Sequence, residues 1–377
     1  MLSPTIQSTL QRYQNEIEAA LRRALSQASE TATHRGVADT TDLLSFYGQM
    51  QYHLGWVDAN FLPVTGYPGK LLRPTLLLLA YEGAGAEGET AEMTGSSNYL
   101  RRALPAAAAI ELTHNFTLIH DDIEDGDAKR HHRATLWKQW GVPQAINTGD
   151  GMFALARLTL WDVVDEGVEA AVAVRLGAVL DRAFLVLSEG QHLDISFEAR
   201  QDVSVSMYID MIRRKTGALM GCAAEMGALL GTCDEETIAR LRNFGNAMGV
   251  AFQVRDDLLG VWASTAESGK TVAGDIYRRK KSLPVLHALE HANAHDQQFL
   301  RAVYTQESAV TSEQVQEILT IFEHTETQAY CRQFLAEQCR LAHEALANVP
   351  RNDSPVAARA LQDMEQLVLF VQETART

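Results

Sequence analysis

The sequence predicts an all-α protein, folded as a single large helical bundle. Two observations carry this. Apolar residues recur at helical spacing almost from end to end, and no Pro/Gly/Ser-rich linker divides the 377 residues. A third feature gives the bundle a centre. One helical stretch, from Leu104 to Asp125, begins apolar and ends in the block His120-Asp121-Asp122-Ile123-Glu124-Asp125.

Composition narrows the function. The net charge is −15, from 33 basic and 48 acidic residues, which argues against nucleic acid as a partner. Four cysteines (Cys222, Cys233, Cys331, Cys339) lack any framework spacing, which fits a reducing compartment. Met1 to Gln27 reads as an amphipathic helix rather than a signal peptide. No apolar run reaches the ~18 residues of a spanning helix. The expectation is a cytoplasmic protein with no transmembrane segment.

Residues 1–60 read as N-terminal helices without a chemical signature. Gly66-Tyr67-Pro68-Gly69-Lys70-Leu71-Leu72-Arg73-Pro74 is a turn that opens into the apolar run Thr75–Ala80. Lys70 and Arg73 fall at the start of that helix, where backbone N–H groups favour an anion. Two solvated surface cations would look the same when taken alone. Residues 83–100, rich in Gly, Ala, Ser and Glu, read as a surface loop.

In the helix from Leu104, Asp121 and Asp125 are four apart and share a face with His114 and Thr117. Asp121, Asp122, Glu124 and Asp125 crowd its last turn, where the macrodipole disfavours negative charge. Gly126 follows as a stop. Cations are therefore expected nearby, and Lys129-Arg130-His131-His132-Arg133-Ala134-Thr135 supplies them. A charge network paired within itself is one reading. A diphosphate bridged between metal ions and these cations explains the juxtaposition better.

Asn147-Thr148-Gly149-Asp150 reads as the start of another helix. Glu189-Gly190-Gln191-His192-Leu193-Asp194 lies late in a long one, whose core face is expected to include Leu185 and Leu187. Met207–Leu230 is helical and carries Lys215-Thr216-Gly217. A second acid pair, Asp256-Asp257, again ends an apolar helix and precedes Gly260. Two such pairs suggest two walls of one cation site. Oxygen-only ligands favour Mg²⁺, and no Cys or His cluster has zinc spacing. Gly269-Lys270 and Gly274-Asp275 bracket a loop, and Arg278-Arg279-Lys280-Lys281-Ser282 precedes a new helix at Leu283. The helices of 311–377 look structural.

Across roughly residues 65–290 the chain resembles the trans-isoprenyl diphosphate synthases, or polyprenyl synthetases. The Gly-Lys-x-x-Arg turn is matched by Gly69, Lys70 and Arg73, and Asp-Asp-x-x-Asp by Asp121, Asp122 and Asp125. The second acidic motif is matched by Asp256 and Asp257 behind Phe252-Gln253. Lys215-Thr216, Lys270 and Lys280 match further diphosphate and reaction-centre positions. There are two departures. Gly260 stands where a fuller second motif has a third Asp, and Arg130-His131 where the family has paired arginines.

The resemblance implies an α-bundle around a deep central cavity, a homodimer, and three Mg²⁺ ions with substrate bound. It implies that isopentenyl diphosphate condenses with dimethylallyl, geranyl or farnesyl diphosphate. Asp121, Asp125 and Asp256 would hold metal, supported by Asp122 and Asp257. Arg130, Lys215, Lys270 and Lys280 would neutralise the leaving diphosphate, and Thr216 and Gln253 would face the allylic cation. Lys70, Arg73, His114 and His131 (or Arg133 in its place) would hold isopentenyl diphosphate. Small Thr117 with bulky Phe116 as floor points to geranylgeranyl diphosphate, with farnesyl diphosphate the runner-up and Leu185 or Ser188 the other candidate floor. A class I terpene synthase and a non-catalytic regulatory subunit are the competing readings.

Overall fold

The computed structural model describes residues 4–34, 40–64, 69–85, 97–263, 273–351 and 353–376. The long helices come in the order α1 (Pro4–His34), α2 (Thr40–His53), α3 (Leu72–Gly83) and α4 (Leu104–Glu124). A two-stranded ribbon follows, β1 (Lys129–Arg130) with β2 (Arg133–Ala134). Then come α5 (Leu136–Trp140), α6 (Val142–Trp161), α7 (Ala170–Ala199), α8 (Val205–Ile212), α9 (Ala218–Gly231) and α10 (Glu235–Trp262). The last set is α11 (Gly274–Tyr277), α12 (Leu283–His291), α13 (Ala294–Thr305), α14 (Ser312–His324), α15 (Thr327–Ala347) and α16 (Pro355–Arg376). None of the described helices is long and apolar enough to cross a membrane.

Sequence pattern explains which helices are central. α1 buries one stripe (Ile6, Leu10, Tyr13, Ile17, Leu21, Leu25) and turns its polar side outward. α3 and α9 are mostly apolar and lie inside: Leu76 to Ala80 are at most 1% exposed. α9 packs between α3 and α10. A Cβ on Gly227 would lie 2.1 Å from the Leu77 carbonyl oxygen, so only glycine allows that backbone approach. α4 runs along α6, α15 covers α10, and α16 closes the bundle against α3 and α15. Side-chain caps fix several helix starts, among them Ser204, Asp234, Asn293 and the Thr311–Gln314 capping box.

The structure corrects four local expectations. The helix expected to begin near Asn147 begins at Val142, because Gly141 and Pro143 set its start; Asp150 sits in its middle. The cationic stretch is an antiparallel ribbon whose turn residues His131 and His132 have φ of 48° and 65°. That is the positive-φ pair of a tight hairpin. The helix across 207–230 is interrupted by a π-turn at Arg213–Gly217, which joins α8 to α9. Leu185 is 61% exposed rather than a core residue, whereas Leu187 is buried. Residues 86–96, part of the expected surface loop, and 264–272, including Lys270, lie outside the described residues.

Candidate active site

The acid-rich end of α4 opens onto a cleft. Asp122 is buried there and accepts from Arg130 through Nε and Nη2, each at 2.8 Å. Arg130 Nη2 also lies 3.7 Å from Asp121. The hairpin therefore brings back the cation that the crowded helix end requires. Desolvation pushes the Asp122 carboxyl up to about 6 despite Arg130. Asp125 caps the helix on the exposed rim, and its carboxyl is also pushed up to about 6, first by desolvation and then by Asp121.

Across from α4 stands the π-turn. Lys215 Nζ reaches Asp121 at 3.2 Å and Asp194 at 2.6 Å. Desolvation alone would lower this lysine, but Asp194 and Asp121 outweigh it and hold the ammonium above its ordinary value. The π-turn places Lys215 against α7 at close range: a Cβ on Gly190 would lie 2.3 Å from the Lys215 backbone nitrogen. Such bulges recur at functional sites. Gln191 Nε2 donates to Asp121 at 3.0 Å and to Glu124 at 2.8 Å. Gly190, Gln191 and Asp194 had no assigned role from sequence. The one available signal was a polar run inside an apolar helix.

The second acid pair divides its labour as the first does. Asp256 has a 61% exposed side chain, with Arg255 at 3.9 Å. Asp257 is buried and accepts from Tyr208 Oη at 2.5 Å, Gln253 Nε2 at 3.2 Å and the Leu283 backbone N–H at 3.3 Å. Lys280 Nζ lies 3.8 Å from it. Desolvation opposes charge on Lys280, yet Asp257 and Asp275, then Asp194 and Asp256, hold it above its ordinary value. Asp194 thus favours charge on Lys215 by direct contact and on Lys280 through its field. Thr216 Oγ1 donates to Gln253 Oε1 at 3.3 Å, in the same gap. Gly260 also has a physical explanation. A Cβ there would meet the Asp275 carboxylate at 2.1 Å, so that buried side chain takes the space a third motif acid would use.

Next to the metal side lies a cavity of 530 Å³ lined by Lys70, Arg73, His114, Arg130 and His131. Lys70 precedes α3 and is exposed. Arg73 Nε is buried with no hydrogen-bond partner, an orphan donor aimed at no protein atom. Burial lowers the Arg73 guanidinium, the nearby Glu111 notwithstanding. Desolvation, then Arg73 and Arg130, hold His114 well below its ordinary value. His131 is lowered by desolvation, then by Arg130, His132 and Lys70. Arg133 is spoken for: it donates to the carbonyls of Tyr52 at 3.1 Å and Val57 at 2.6 Å and lies over the Tyr52 ring.

Phe116 faces away from this cavity. It meets Phe153 of α6 and Phe184 of α7 edge-on, with ring centroids 5.1 and 5.2 Å away. Thr117, one residue on, turns its hydroxyl back to the His114 carbonyl at 2.7 Å. Sequence reasoning named Phe116 alone; Phe153 and Phe184 complete an aromatic cluster from three helices.

Among the described residues no three His, Cys, Asp or Glu side chains converge to hold a metal ion by themselves. Asp125 and Asp256 offer exposed carboxylates on the two rims, and Asp121 a third that Lys215 and Gln191 hold in place. Mg²⁺ is commonly bound in this way, by one or two carboxylates plus waters and substrate phosphates, so the donor set fits it.

Comparison with known proteins agrees with this geometry. The polyprenyl synthetase family matches residues 55–322. The geranylgeranyl diphosphate synthase of Mycobacterium tuberculosis is 36% identical over 310 residues, 82% of this chain and 84% of that protein. The (2E,6E)-farnesyl diphosphate synthase of Mycobacterium bovis is 38% identical over 264 residues, 70% of this chain and 68% of that protein. The crystal structure of a polyprenyl synthetase from Streptomyces coelicolor superposes with a TM-score of 0.81 at 33% identity, covering 97% of this chain and 99% of that one. The family uses Mg²⁺. The chain belongs to the polyprenyl synthetase family and is a prenyltransferase, a short-chain trans-prenyl diphosphate synthase.

Proposed function

We propose that the chain joins isopentenyl diphosphate head-to-tail to an allylic diphosphate, with geranylgeranyl diphosphate as its main product. The observation that carries this is the pairing of two acidic rims, the first held by Lys215 and the second by Lys280, with a cationic cavity that contains an orphaned arginine donor. Asp121, Asp125 and Asp256 would hold Mg²⁺, three ions with substrate bound. The bound metal supplies Lewis-acid neutralisation of the departing diphosphate. Arg130, Lys215, Lys280 and Lys270 stabilise the same developing charge. Asp122 and Asp257, held by Arg130 and by Tyr208 and Gln253, position Asp121 and Asp256 beside them. Thr216 and Gln253 turn their dipoles toward the allylic cation. Lys70, Arg73, His114 and His131 hold isopentenyl diphosphate so that its double bond faces that cation. The released diphosphate takes the final proton, so no side-chain base is needed.

The growing tail runs from the acids toward Phe116, Phe153 and Phe184, which form its floor. Relatives named for both product lengths keep farnesyl diphosphate as the second reading. A homodimer and a cytoplasmic location belong to the same reading. The exposed apolar residues Leu158 and Trp161 on α6, with Val174 and Leu185 on α7, suit a second copy. Incubation with Mg²⁺, isopentenyl diphosphate and each short allylic diphosphate, followed by sizing of products, tests the assignment. Phe116→Ala should lengthen the product; an unchanged product would place the floor elsewhere.

A further inference from the structure

The homoallylic end of the cleft holds more imidazole than the motifs account for. His53 ends α2, in a region that carried no chemical signature. Its ring lines the same cavity as Lys70, Arg73, His114, Arg130 and His131. It hydrogen-bonds to the backbone of Asn115, directly after His114, in a contact that favours the protonated ring.

The surroundings are mostly cationic. The ribbon contributes Arg130, His131 and Arg133, the start of α3 and the residues before it contribute Arg73 and Lys70, and α4 contributes His114. Of the acids on the cavity wall, Glu111 is engaged by Asn115 Nδ2 at 2.9 Å, and Asp256 of α10 has Arg255 at 3.9 Å. Glu18 of α1 is the other. Burial first, then Arg130, His131 and Arg133, hold His53 down at about 3, so its ring is neutral without ligand. A neutral imidazole whose N–H is used on a backbone group has only a lone pair left on its other nitrogen, and a lone pair repels a phosphate oxygen. A diphosphate arriving there needs a donor.

We propose that His53 is a further ligand of the homoallylic diphosphate and takes up a proton from solvent as that diphosphate enters. The proton goes to the ring nitrogen that lacks one, which then donates a charge-assisted hydrogen bond. The inference rests on the reading of this cavity as the isopentenyl diphosphate site. It also meets a specific deficit. His131 stands where the resemblance expects arginine, and Arg133 is committed to Tyr52 and Val57. Two imidazoles that charge only with substrate present can supply what one arginine would.

The test is calorimetric titration of the full chain with isopentenyl diphosphate alone, at pH 7.5, in two buffers of different ionisation enthalpy. Wild type should show net proton uptake. His53→Ala should reduce that uptake and raise the KM for isopentenyl diphosphate about tenfold or more, the scale of one hydrogen bond to a charged group. The KM for the allylic substrate should not change. His53→Gln, which keeps a backbone donor but cannot be charged, should behave like His53→Ala, so a folding defect in either is recognisable. His53→Arg should restore the KM without restoring uptake. Wild-type KM and proton count in His53→Gln would overturn the proposal. A wild-type enzyme that condenses no short allylic diphosphate would instead overturn the proposed function.

Discussion

The two ends of the cleft face opposite electrostatic problems. At the metal end, the carboxylates are largely met before any ligand arrives: Asp122 by Arg130, Asp121 and Asp194 by Lys215, Asp257 by Tyr208, Gln253 and Lys280. At the homoallylic end, Lys70, Arg73 and three histidines share a cavity, and the buried Glu111 beside them is held by Asn115. The first end is wired internally, so its side chains are held in place. The second is an electrostatic deficit that an anion fills. The difference teaches that preorganisation and affinity are assigned to separate ends. Rigid pairs position the reacting charge, while a cavity short of counter-charge draws in the second substrate.

The comparison breaks hardest at the acids. Asp121→Ala and Asp256→Ala should each lower turnover at least ~10²-fold, the scale of removing one electrostatic stabiliser. Asp256→Ala should leave the thermal midpoint close to wild type, since its side chain is 61% exposed. Asp257→Ala should lower both, because Tyr208 Oη and the Leu283 N–H lose their buried acceptor, at about 1–3 kcal/mol per unsatisfied group. Steady-state kinetics alongside melting curves separates the two cases. Near-normal turnover in Asp121→Ala would remove it from the metal site.

A smaller effect is expected at Gly190. Gly190→Ala places a methyl 2.3 Å from the Lys215 backbone nitrogen, so α7 or the π-turn must shift. A displacement near 1 Å at Lys215 would reduce turnover by about 10²-fold at most, the scale of misplaced catalytic groups. The KM for isopentenyl diphosphate should stay near wild type, because Lys215 serves the metal end. If that KM moves more than turnover does, the two ends are not independent.

What could be read in the sequence follows from how local each signal is. The acid motifs depend on i, i+1 and i+4 spacing within one helix, so Asp121, Asp122, Asp125, Asp256 and Asp257 were legible. The helical core was legible for the same reason, as the stripe of α1 and the apolar run Leu76–Ala80 of α3 show. Gln191, Asp194 and His53 act through tertiary approach, which no local period encodes. The ribbon escaped because two residues per strand leave no alternation to detect. The π-turn escaped because its composition resembles ordinary helix. Lys280 was named from the resemblance, but its pairing with Asp257 and the field of Asp275 on it come from tertiary approach.

The smallest effect concerns His131, where the resemblance expects arginine. Desolvation, Arg130, His132 and Lys70 hold its ring below the ordinary histidine value of about 6.5 in the free protein. A bound diphosphate favours the protonated ring and raises its pKa. The sign follows. A group whose pKa rises on binding takes up a proton with the ligand, so affinity is greatest below the free value and falls as pH climbs to the bound one. The KM for isopentenyl diphosphate should therefore rise with pH, starting below about 6.5, while arginine, charged throughout, gives no such window. Because His53 faces the same cavity, His131→Arg alone should reduce the slope by a factor of a few in KM rather than abolish it. His53→Arg combined with His131→Arg should reduce it further, leaving only what His114 contributes, and the allylic KM should keep its wild-type profile in both. If the pH profiles of wild type and His131→Arg coincide, His131 does not touch the diphosphate, and the cationic deficit belongs to Lys70, Arg73, His114 and His53.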